Sequence, residues 1–156
     1  MSLLHKVTLC VALCACWHTP GYSVSDPSLY DLSDIDAALE AHDRVIGNGP
    51  RCARQRRHVR VAYLEEPQLS AACRVRSGEV DGCHTTQNGP CFPHLCSHVL
   101  IVRSSLPPLQ RRRILIHEAM HWADECTFGV EYPDNDHSDP LWNKAVDLAR
   151  EMQGLE

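Results

Sequence analysis

The sequence predicts a small α+β domain, because its helical and strand-like segments are segregated along the chain. Two runs rich in β-branched residues, HVRVAYL (58–64) and HVLIVR (98–103), read as strands of a few-stranded sheet. Segments with apolar residues at helical spacing lie before the first run and after the second. With 156 residues, 44 % hydrophobic and 22 % charged, the chain suits one compact domain and leaves no room for two.

The chain opens with a leader. Lys6 precedes an apolar run from Val7 to Trp17, which has the length of a signal-peptide core and is too short to span a bilayer. Ser23-Val24-Ser25 puts small residues at the −3 and −1 positions. Residues 1–25 are therefore expected as a signal peptide and 26–156 as a single secreted or periplasmic domain, with no stable membrane insertion after cleavage. Leu13-Cys14-Ala15-Cys16 lies near a lipobox, and anchoring at Cys16 is the competing outcome.

The remaining elements follow in order. Ser33-Asp34-Ile35-Asp36 has the form of a capping box, and Ile35, Leu39, His42 and Ile46 continue at helical spacing until Gly47-Asn48-Gly49-Pro50 stops the helix. The strand at 58–64 comes next. Residues 65–93 are mostly turn chemistry and cysteine, which predicts a stapled loop region. After the strand at 98–103, Pro107-Pro108 breaks the chain before a helix over about 109–126. The loop TFGVEYPDNDH leads to Asp139-Pro140, an N-cap and first helical residue. Leu141, Ala145, Leu148 and Met152 then mark the last helix.

Removing the leader changes the cysteine arithmetic. Cys10, Cys14 and Cys16 leave with it, and Cys52, Cys73, Cys83, Cys91, Cys96 and Cys126 remain. An even set in an exported domain predicts disulfides, with the connectivity open. The rival is a second metal site in CHTTQNGPCFPHLCSH, where Cys83, His84, Cys91, His94, Cys96 and His98 crowd together, but no CxxC pair occurs there. The net charge of −5 becomes one unit more acidic without Lys6, which argues against nucleic acid as a partner. The basic runs RCARQRRHVR (51–60) and RRR (111–113) lack interleaved aromatics and read as solvated faces.

The chemistry is concentrated in HEAMHWADECTFGVEYPDNDHSDPLW, residues 117–142. Residues four apart on a helix share a face, so His117 and His121 can present nitrogens to one ion. Glu118 lies about 100° round the helix, beside the ion and not bound to it, where it can take a proton from water. Leu115, Ile116, Ala119, Trp122, Ala123 and Cys126 form an apolar rear. Asp124, on the histidine face, is a candidate to orient an imidazole, or is simply solvated.

A catalytic zinc site takes three protein ligands and leaves one position open. Asp124 and Thr127 stand where a metzincin would carry glycine and histidine, so that class is excluded, and Glu151 is far along the last helix for a gluzincin ligand. His137 is better placed, at the fixed end of a loop and beside a capped helix. Glu131, Asp134 and Asp136 are the alternatives within that loop. The segment His137-Ser138-Asp139-Pro140-Leu141-Trp142 resembles that of the SprT-like and related minimal zinc peptidases, in which a third histidine opens a small-residue, bulky-residue, Trp segment. The resemblance covers about residues 98–145. It implies a zincin-like domain, an active-site helix followed by a C-terminal helix, and a Zn2+ ion held by His117, His121 and His137 around Glu118 as general base. A peptide deformylase resemblance is weaker and would make Cys83 a ligand.

The expected function is that of a secreted zinc metallopeptidase acting on peptide or protein substrates, cell-wall peptides among them. HVLIVR is expected at the sheet edge, where a peptide can pair with it, and Tyr132 is the candidate oxyanion donor. The alternative is a disulfide-rich binding or toxin module with a vestigial or structural metal site.

Overall fold

A three-stranded sheet organises the domain. The computed structural model describes residues 22–47, 59–86, 98–128 and 137–155. Strands β1 (Val59–Leu64), β2 (Gly82–Thr86) and β3 (His98–Arg103) lie in the order β1-β3-β2. β3 runs parallel to β1, with Val61 opposite Leu100, and antiparallel to β2, with His84 opposite Leu100 on the other side. Four helices among the described residues complete an α+β arrangement: α1 (Leu29–Val45), α2 (Gln68–Cys73), α3 (Pro108–Phe128) and α4 (Pro140–Met152).

β3 is the central strand, which corrects the expectation that HVLIVR lies at the edge. The run is apolar at every position from Val99 to Val102 because both of its faces are covered. Leu100 and Val102 point into a large core with Val59, Val61 and the helices α1, α3 and α4. Val99 and Ile101 point into a smaller core with Ala62, Leu64 and Leu69. Among the described residues β2 pairs with β3 alone.

Helix α3 starts at Pro108, where the missing N–H of proline costs nothing. Its apolar rear is buried as expected: Leu115, Ile116, Ala119, Trp122 and Ala123 are each at most 1 % exposed. α4 has its predicted cap, the Asp139 carboxylate accepting from the Leu141 N–H at 2.8 Å. Its buried face is Trp142, Ala145, Val146 and Ala149, rotated from the expected stripe, and Leu141 is half exposed.

α1 begins four residues before the expected cap. Ser28 and Asp31 form the capping box, so Ser33 and Asp36 lie inside the helix. Two further elements arise in the segment read as loop, the short α2 and the strand β2. The Cys73–Cys83 disulfide joins them, and Cys126 of α3 is disulfide-bonded as well. Cys52, Cys91 and Cys96 lie outside the described residues, as does nearly all of the expected leader. Ser25, at its expected end, makes an antiparallel bridge to Val61 of β1. No helix among the described residues is long and apolar enough to cross a membrane.

One ion pair locks the helices together. Asp34 of α1 is fully buried, and Arg112 of α3 donates to its two oxygens from Nε at 2.9 Å and Nη2 at 2.6 Å. The guanidinium reaches on to Gln153 beyond α4. Removing the arginine leaves a buried carboxylate without its counter-charge. We expect Arg112→Met to destabilise the fold by about 3 kcal/mol in urea unfolding, and Asp34→Asn in the same chain to restore part of that loss. Simple additivity of the two substitutions would show that the pair is not coupled.

Candidate metal centre

Helical spacing brings His117 and His121 onto one face of α3, and the chain returns through His137 to meet them. His121 Nε2 lies 3.2 Å from His117 Nε2 and 2.9 Å from His137 Nε2. Three nitrogens bound at about 2.0–2.1 Å to a tetrahedral ion stand roughly 3.4 Å apart, so the donor set fits a single divalent ion such as zinc. The three ligand atoms lie within 4.8 Å of one another.

Trp142 supplies the platform that holds them. Its indole lies 5.0, 5.0 and 4.9 Å from the ring centroids of His117, His121 and His137. Because Asp139 caps α4 and Trp142 follows in its first turn, the start of that helix fixes the third histidine. His137 itself has φ +58°, a left-handed conformation that costs a non-glycine residue on the order of 1 kcal/mol. Asn143 Nδ2 donates to its carbonyl at 2.7 Å and helps hold that backbone.

Glu118 is 6 % exposed. It is fixed against β2, where the His84 backbone N–H donates to its carboxylate. The approach is close: a Cβ on Gly82 would stand 2.6 Å from Ile114 Cγ2 and 2.7 Å from the Ile101 carbonyl oxygen, with Glu118 Oε1 at 3.2 Å. Only glycine fits between the strand and the helix there. Burial pushes the Glu118 carboxyl up to about 8, against the opposing pull of the His84 N–H. Burial, then the neighbouring His121 and His137, push His117 down to about 3. His121 falls to about 4 through burial and His137, with Asp124 acting in the opposite direction. His117 and His121 are thus held in the neutral form that binds metal.

Asp124 has a partner that the sequence reading did not find. His42 of α1, 1 % exposed, hydrogen-bonds to its carboxylate at 2.8 Å, while the carboxylate charge is felt by His121. Of the two readings of Asp124, solvation does not hold, since it is 4 % exposed. His42 gave no signal beyond its place in an apolar stripe. A second group joins His84 and His98, both of the rival Cys/His cluster read from the sequence, with Glu125, which that reading did not include. Cys83 is tied into a disulfide, which removes it as a thiolate ligand. Glu131, Tyr132, Asp134 and Asp136 lie outside the described residues.

The centre opens onto a cleft of about 460 Å³ walled by Val80–His84, Ile114 and Trp142, large enough for a few residues of an extended chain. Arg103 holds the far lip, donating from Nε to Asp81 at 2.9 Å. No protein-family model matches this chain, and no curated protein or solved structure is detectably similar to it.

The displaced carboxyl gives a pH signature for the metal-free protein. Its folded pKa of about 8 exceeds the ordinary 4.5, so its contribution to stability is intact below about 4.5 and is lost as pH rises through 8. Glu118→Gln should therefore match wild type near pH 4.5 and exceed it by a few kcal/mol at pH 8.5, in urea unfolding after chelation. The histidines are common to both proteins and cancel in the difference. A gap that does not change with pH would contradict the burial of an ionisable Glu118.

Proposed function

We propose that the protein is a secreted zinc-dependent metallopeptidase with a minimal zincin-like core, similar to the SprT-like peptidases in how its third histidine precedes the last helix. One observation carries the reading: three imidazole nitrogens converge beside a buried carboxylate that is not one of the converging donors, all on the wall of one cleft. A purely structural ion has no use for that carboxylate. A binding module has no reason to keep it buried at the cost its raised pKa implies.

When bound, zinc supplies Lewis acidity that lowers the pKa of water and polarises a carbonyl. His117, His121 and His137 would hold it, kept in place by Trp142. Glu118 acts as general base: one carboxylate oxygen takes a proton from the attacking water and later delivers it to the leaving amide nitrogen. The His84 N–H keeps that carboxylate aimed at the cleft. Among the described residues β2 pairs on one side only, with β3. An extended peptide is therefore expected along β2 beside the centre, making main-chain hydrogen bonds to that strand.

The test separates the proton carrier from the ligands. Glu118→Gln should retain zinc while losing hydrolysis of an unfolded protein substrate by about 10²–10⁴-fold. His117→Ala, His121→Ala and His137→Ala should each lose both metal and turnover. Near wild-type turnover in Glu118→Gln would overturn the mechanism.

A further inference from the structure

We propose that His84, His98 and Glu125 form a second divalent-metal site, which staples β2 and β3 to α3 behind the first centre. Each residue comes from a different element: His84 from β2, His98 from the start of β3, and Glu125 from α3, one turn beyond His121. Their ligand atoms all lie within 4.8 Å of one another. His84 Nε2 is 3.2 Å from His98 Nδ1, and Glu125 Oε2 is 3.3 Å from His84 Nδ1 and 4.0 Å from His98 Nδ1.

The surroundings suit an ion. The two imidazole side chains are 5 % and 8 % exposed and the carboxylate 27 %. The rings stack at 5.4 Å with 23° between their planes, and the indole of Trp122 packs on His98 at 5.9 Å. Two imidazoles with one carboxylate are a donor set for zinc and neighbouring first-row ions. None of these three residues belongs to the HExxH pattern or to its third-ligand segment. The same atoms can also form a metal-free chain of hydrogen bonds from Glu125 through His84 to His98, and the experiment decides between the two.

An ion at this position has a consequence for the first centre. His84 is the residue whose backbone N–H holds Glu118. Fixing the His84 side chain to α3 and β3 fixes that N–H as well. This link to catalysis rests on the proposed peptidase function, whereas the metal count does not.

The test counts metal per chain. The full protein is stripped with chelator, reloaded with zinc, desalted and analysed by mass spectrometry, with folding checked by circular dichroism. Wild type should hold about two equivalents, and His117→Ala/His121→Ala about one. Glu125→Gln and His84→Gln, which keep side-chain volume, should each lose about one equivalent and retain the other. The proposal is overturned if wild type holds a single equivalent that His117→Ala/His121→Ala removes, or if both conservative variants keep the full wild-type content. If His117→Ala/His121→Ala instead keeps the wild-type content while Glu125→Gln loses metal, the second site stands and the peptidase reading fails.

Discussion

Burial of one stripe of α3 against the sheet is the constraint on which the rest of the domain depends. Ile116, Ala119 and Trp122 are removed from water completely, and Met120 and Ala123 with them. Each large apolar side chain buried this way contributes about 1.5–3 kcal/mol. With the rear fixed, helical geometry leaves His117 and His121 no direction but forward, and Glu118 must turn toward β2. Gly82 then permits strand and helix to approach until a backbone N–H meets the carboxylate. Core packing and site geometry are thus one problem solved by the same helix.

The electrostatics of the site follow from that burial. Desolvation keeps His117 and His121 neutral and resists ionisation of Glu118, so the same dry environment prepares the ligands and raises the base. In the metal-free protein this arrangement is costly at neutral pH, and a bound cation offsets it by favouring the carboxylate. The left-handed backbone of His137 adds to the cost. Strain and desolvation thus meet where the chemistry is expected.

What the sequence made legible was what local periodicity and spacing encode. The α+β class, the strand at His98–Arg103, the helix carrying His117 and His121, and the Asp139-Pro140 start of α4 all followed from such patterns. The meeting of His137 with the other two histidines was readable because loop length and cap position limit where it can go. What escaped was non-local. HVLIVR reads as a strand from its residue types, but its central place depends on the cover over both of its faces, which the rest of the fold supplies. β2 lies among turn residues and owes its strand form to pairing with β3 and to the Cys73–Cys83 bond. His42 and Glu125 find their partners across 82 and 41 residues of chain, and no pattern in one sequence announces such pairings.

The central claim is that three imidazoles of this chain hold one divalent ion next to Glu118. Crystals of the zinc-loaded protein, measured on both sides of the zinc absorption edge, test it most directly. The account predicts an anomalous peak where the Nε2 atoms of His117, His121 and His137 converge, at about 2.0–2.1 Å from each, with Glu118 beside the ion and not bound to it. No peak at that point in zinc-saturated crystals, or an ion there with the His137 ring turned away, would contradict it.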